Sequence, residues 1–164
     1  MACRGVHFAI TKIDADRLLS APSDEAVLAI VQDDIEERWD EDWLYQSDKS
    51  WDAIHRSLSD GTLDPNGGSY PFKLAVLGGR QLYLQDDYII SLVVPDQVRD
   101  VSAALAGSKK GWLKARYDSI DPNSYGVPKS EDDWEYTWEN FVGLASFFRK
   151  AADANRSVLF TADQ

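Results

Sequence analysis

Between Asp48 and Gly61 the large residues Trp51, Ile54, His55 and Leu58 fall at i, i+3, i+4 and i+7, one stripe of a 3.6-residue helix. Ser47 or Asp48 is placed to cap its start, and Gly61 stands where a left-handed C-terminal residue is wanted. Asp52 and Arg56 have the i,i+4 spacing of an ion pair on the outer face, worth only about 0.2–0.5 kcal/mol. Trp51 is the anchor, because a buried indole removes more apolar area from water than any other side chain of this stretch. The helix is therefore expected to lie inside the fold, with strands on its apolar side.

A chain of 164 residues suits one domain, residues 1–164, with a core of its own. Its formal charge of -11 disfavours nucleic acid and anionic membrane as partners, since both are bound through Lys and Arg that neutralise phosphates. A basic protein partner suits that charge. Cys3 is the single cysteine, so no intramolecular disulfide and no cysteine-rich metal site can form. The start lacks the apolar run of a signal peptide, and no apolar segment approaches the roughly 20 residues of a membrane span. The expected location is the cytoplasm.

Along the chain, Val6, Phe8 and Ile10 alternate with His7 and Ala9 as a half-buried strand. Asp14 opens a short helix stopped by Pro22. Ser23 caps the next, whose stripe of Val27, Leu28, Val31, Ile35 and Trp39 carries it to about residue 39. After the anchor helix, residues 72–77 read as a strand ending at Gly78-Gly79. Residues 81–84 and 88–94 read as a hairpin about Asp86-Asp87. Pro95 starts a helix that ends at Gly107, and residues 112–117 add a shorter one. Residues 118–133 form a long Pro-, Asn- and Asp-rich loop of the kind that is usually functional or mobile. A helix over 134–154 and a strand over 158–160 close the chain. The result is an α+β single compact domain, a small, mostly antiparallel sheet with helices packed around it.

Residues 33–42 hold seven acids and one base at the end of a helix, where the dipole is negative and acids are disfavoured. If the helix reaches Glu41, its like-charge neighbours cost about 1–3 kcal/mol in total before screening. Local helix stability does not account for such a run.

Three stretches carry a resemblance: Asp48-Lys49-Ser50-Trp51-Asp52-Ala53-Ile54-His55, Ala75-Val76-Leu77-Gly78-Gly79, and Phe147-Phe148-Arg149-Lys150-Ala151-Ala152 with Val158-Leu159-Phe160. In this order, and with this chain length, they resemble the YfbM-like family of bacterial proteins of unknown function. The resemblance implies one α+β domain and brings no catalytic residues. It also implies a link to toxin genes, beside which relatives act as immunity partners. The opening Met1-Ala2-Cys3-Arg4-Gly5 departs from the family's shorter glycine-containing start, which leaves the register of the first strand open.

No residue set is read as catalytic, and no cofactor or metal is expected. Cys3 and His7 would share a strand face about 13 Å apart, beyond hydrogen-bond reach. Asp40-Glu41-Asp42 lacks the spacing of a calcium loop, and Leu77-Gly78-Gly79-Arg80 lacks the Gly-Lys-Ser/Thr of a phosphate loop. Gly78 and Gly79 instead suit a turn or a close backbone approach. Glu131-Asp132-Asp133 suits a helix N-terminus.

The favoured function is a non-enzymatic acidic protein-binding domain, an immunity or antitoxin protein that blocks a cognate toxin or other basic protein. Its contact residues are Asp33, Asp34, Glu37, Asp40, Glu41 and Asp42, with Trp39 or Trp43 as the apolar anchor. The alternative is an enzyme or small-molecule binder with a pocket near His55, assembled with Asp48, Lys49 and Arg80. A solvated acidic face without a task is the third reading.

Overall fold

Every strand of the sheet runs antiparallel to its neighbours, and the segment nearest the C-terminus takes the middle place. The computed structural model describes residues 3–164. The strands are β1 (Gly5–Ile10), β2 (Leu44–Asp48), β3 (Arg80–Gln81), β4 (Tyr88–Val93) and β5 (Ser157–Asp163), side by side in the order β2-β1-β5-β4-β3. β5 pairs Leu159 with Phe8 on one side and with Leu92 on the other. A bulge between Gly5 and Val6 resets the register of β1 against β2, so Gly5 faces Asp48 and Phe8 faces Leu44. Met1 and Ala2, part of the unusual start, lie outside the described residues.

The helices are α1 (Lys12–Leu19), α2 (Asp24–Ile30), α3 (Trp51–Leu58), α4 (Pro95–Ala106), α5 (Lys110–Asp118), α6 (Pro122–Tyr125) and α7 (Glu131–Asp153). Alternation along each strand divides them between the two faces of the sheet. Ala9, Val93, Val158, Phe160 and Ala162 point to the larger core, which α3, α4, α5 and α7 complete. Phe8, Ile10, Ile90, Leu92 and Leu159 point the other way, against α1 and α2. The half-buried strand expected at 6–10 is thus buried on both faces, because helices cover both.

Several local expectations hold. Ser23 accepts from the Ala26 amide, and Pro95 opens α4. Glu131, Asp132 and Asp133 form the first turn of α7, which starts three residues earlier than expected, after a Ser130 cap that the sequence reading did not single out. Gly61 has φ +89°, the left-handed region expected of it. Gly79 lets two backbones meet: a Cβ there would lie 2.6 Å from the Leu92 carbonyl oxygen.

Other expectations are corrected. α1 is capped by Thr11, so Asp14 sits inside its first turn. Ser50, not Ser47 or Asp48, precedes α3; Ser47 instead donates to the Gly5 carbonyl and ties β2 to β1. Residues 72–77 form a 3-10 turn over Phe72–Ala75 rather than a strand. A short apolar run fits any fully buried conformation, and this one is buried beside α3 and α4. β3 is only two residues long, because Leu84 and Gln85 leave the sheet to donate to Asp24 at the start of α2. The segment 118–133 is no open loop. It contains α6, and Lys129 ties it down by donating to the carbonyls of Asp118 and Ile120. Tyr117 and Tyr125 both donate to Asp133, at 2.5 and 2.9 Å, which joins α5, α6 and α7.

Trp51 is 5% exposed, packs against Phe160 and donates its indole N–H to the Cys3 carbonyl. Trp51→Ala should lower unfolding free energy by about 3–5 kcal/mol in urea melts, the usual cost of a large aromatic cavity. His7 lies fully buried among Phe147, Phe148 and Phe160, and its Nε2 donates to the Ala75 carbonyl at 2.8 Å. Burial lowers its pKa from 6.5 to about 4, so the unfolded chain takes the proton first. Its contribution is intact above about pH 6.5 and falls away toward pH 4, by up to roughly 3 kcal/mol. Between pH 7 and 5 the His7→Gln protein should show a flatter melting profile than the parent.

Candidate partner-binding face

The acid-rich segment follows α2 and spans three kinds of backbone. After Ile30 the helix widens to a π-helix over Val31–Glu36, and helical backbone ends at residue 38. Trp39 then takes φ 42°, a left-handed conformation that costs a bulky residue about 1–3 kcal/mol. A short 3-10 turn, Glu41–Trp43, leads into β2, and the Asp40 side chain accepts from the Asp42 amide as its cap. The helix does not reach Glu41, so the like-charge pairs of Asp40 and Glu41 with Glu36 and Glu37 are not stacked on it. Half of the expected like-charge pairs are therefore absent, while those among Asp33, Asp34, Glu36 and Glu37 remain on helical backbone.

The remaining acids divide by environment. Asp34 is held by Arg17 at 2.5 Å and Arg38 at 2.8 Å, and both arginines also grip the buried Asp14, at 3.0 and 2.7 Å. The hydrogen bond from Arg17 keeps the Asp34 carboxyl below its ordinary pKa. Glu36 turns to the sheet and accepts from Tyr88 and Thr161. Desolvation and that carboxylate push the Tyr88 phenol well up. Asp33, Glu37, Asp40, Glu41 and Asp42 are exposed, and none has an ion pair among the described residues.

The two tryptophans differ. Trp39 stays 37% exposed, with one edge on Phe8. Trp43 is half-buried between cations: Arg156 lies 3.7 Å and Lys150 4.5 Å from its ring centre. Lys150 also donates to the Asp42 carbonyl. A cleft of about 100 Å³ at the foot of the segment is lined by Asp14, Arg38, Asp40, Trp43 and Arg156.

The arrangement imagined around His55 does not form a pocket. His55 is 1% exposed. Its Nδ1 accepts from the Leu77 amide at 3.4 Å, which fixes the proton on Nε2, donated to the Asp64 carbonyl at 3.3 Å. Burial lowers its pKa, so the ring is neutral. Asp48 is engaged elsewhere, by Arg4 and Tyr136, while Lys49 and Arg80 are exposed. The Asp52–Arg56 pair is also not on the outer face. Arg56 is 7% exposed and spreads its remaining donors over Gly61 and Ser124. Among the described residues no group of three or more His, Cys, Asp or Glu is placed to hold a metal ion, and no helix is long and apolar enough to cross a membrane.

The Asp14–Arg17–Asp34–Arg38 network escaped sequence reading, although its i,i+3 and i,i+4 spacings are local. Its decisive link joins α1 to the π-helix, and nothing in the sequence states that these two cross.

The sheet flanked by helices on both faces defines a single-domain α+β protein that exposes an acidic segment after α2. The chain belongs to the DUF1877 family, a domain of unknown function whose pattern matches residues 1–161. Its fold is similar to that of YfbM from Escherichia coli, described as a protein of unknown function. The two share 18% sequence identity with a TM-score of 0.67, over 97% of this chain and 99% of that one. No curated protein matches the sequence.

His55→Ala removes a side chain with both ring nitrogens engaged. It should lower unfolding free energy by about 2–4 kcal/mol in urea melts, the sum of a small cavity and two orphaned backbone groups. A parent-like melt would show that the ring has no structural part.

Proposed function

We propose that this protein is a non-enzymatic, cytoplasmic protein-binding domain that presents residues 33–42 to a basic partner, and that its concrete form is an immunity protein occupying the cleft of a cognate toxin. One observation carries the reading: five exposed carboxylates without ion pairs among the described residues flank an exposed tryptophan held in a strained backbone. Strain in a bulky residue persists only where surrounding structure enforces it, and such positions concentrate at functional sites. The adjoining π-helix is a second feature of that kind. Acidic surfaces steer basic partners into encounter, and an aromatic side chain then supplies buried contact. Asp34 and Trp43 stand apart from the contact set, because the chain's own cations already engage them. Asp33, Glu37, Trp39, Asp40, Glu41 and Asp42 form it.

The test is association kinetics with the product of the neighbouring gene. The triple variant Asp33→Lys, Glu37→Lys and Glu41→Lys should slow the on-rate by about tenfold or more and flatten its salt dependence. Asp34→Asn, by contrast, should leave the on-rate unaltered and lower only the melting temperature. An on-rate unaffected by the triple reversal rejects the acidic face as the docking surface.

A further inference from the structure

A cleft of about 380 Å³ lies where the sheet ends at β3, and it shares no residue with the acidic face. Its lining joins pieces of both cores. Leu74 from the larger core and Leu92 from the smaller one are 5% and 1% exposed. Leu19 at the end of α1 and Val94 just before α4 line it as well, and they stay 37% and 38% exposed. Single apolar side chains on a surface call for no explanation. Four of them around one concavity, two buried and two open to water, form an apolar site.

The polar side chains of the lining are Arg80 and Gln97. Arg80 does not join His55. It is exposed, and its side chain forms no ion pair, hydrogen bond or ring contact among the described residues. No carboxylate is among the described residues that line the cleft. Asp24 shares an adjoining cleft with Arg80, but it accepts from the Leu84 amide and the Gln85 side chain and makes no ion pair with Arg80. Gln97 uses its Oε1 to accept from the Val94 amide, so the group it has left is the amide donor. The cleft therefore offers an apolar wall and a cation whose charge is unmet, in a chain of net charge -11.

We propose that this cleft binds a carboxylate that carries a short apolar chain, as a free aliphatic acid or as the C-terminal residue of a peptide. The chain lies against Leu19, Leu74, Leu92 and Val94, and the carboxylate meets Arg80. A guanidinium takes a carboxylate through two parallel N–H donors, and apolar walls strengthen that pair by keeping water away. The volume stands near the lower limit of the roughly 300–1,000 Å³ of ligand pockets, which suits a chain of a few carbons and not a long lipid. The site is independent of the protein-binding reading above.

The experiment is a thermal melt of the full chain with sodium hexanoate, N-acetylleucine, sodium acetate or hexanol, each compared with sodium chloride at equal ionic strength. Hexanoate, N-acetylleucine or both, at ten times the dissociation constant, should raise the melting temperature by about 3–6 °C over chloride. Response to N-acetylleucine assigns a peptide terminus, and response to hexanoate alone assigns a free acid. Acetate keeps the charge without the chain, and hexanol the chain without the charge, so each should give a much smaller shift at the same concentration. Arg80→Gln alters an exposed side chain without partners, so its melting temperature in chloride should match the parent's. Its affinity for the responding carboxylate should fall by about tenfold or more. No shift with either hexanoate or N-acetylleucine, an equal shift with acetate or hexanol, or unchanged affinity in Arg80→Gln overturns the proposal.

Discussion

The burial of α3 is the constraint on which the rest of this fold depends. Seven of its eight residues are buried, far more than an amphipathic stripe supplies, so its large polar side chains, His55 and Arg56, need partners inside the protein. That demand recruits distant chain. His55 takes the Leu77 amide and the Asp64 carbonyl, Arg56 reaches Ser124 in α6, and Trp51 fastens the segment before β1. The carbonyls at the end of α3 are met by Arg116 from α5. A helix of two turns thereby organises pieces separated by more than half of the chain. Its own propensity would not sustain it, since isolated helices this short are marginal in water.

Electrostatics in this chain follow location more than count. An excess of acid could destabilise the compact state by self-repulsion. The fold relieves part of it by drawing Asp14 and Asp34 between two arginines, and Glu36 against Tyr88 and Thr161. Of the acids left outside, Asp40, Glu41 and Asp42 lie beyond the end of the helix, while Asp33 and Glu37 stay on its exposed side. The acidic face is therefore a remainder, what is left once the interior has used the carboxylates it can pair. Five of these acids lie on one short segment beside a strained tryptophan.

Much of the secondary structure was legible. The cap at Ser23, the acids Glu131 to Asp133 at a helix start, Pro95 at another and Gly61 with positive φ are local chemistry, readable from a few adjacent residues. Residues 72–77 were misread because a short apolar run satisfies a buried 3-10 turn as well as a strand. The segment 118–133 looked mobile by composition, yet Tyr125, Lys129 and Asp133 fix it through contacts that composition does not encode. The acidic segment was visible as charge. Which of its carboxylates would be paired was not, because Arg17 is local to Asp14 but meets Asp34 only when α1 crosses the π-helix.

The sequence by itself determined the α+β class, the single anchor helix around Trp51 and the net negative charge, because each rests on periodicity, side-chain area or a simple sum of ionisable groups. Only the tertiary structure decided that β5 lies in the middle of the sheet and that His55 is buried and engaged. It also decided that Asp34 is neutralised while Asp33 and Glu37 are not. Those outcomes depend on which distant segments meet. Meeting is settled by the joint burial of both sheet faces, and no local window of the chain contains that information.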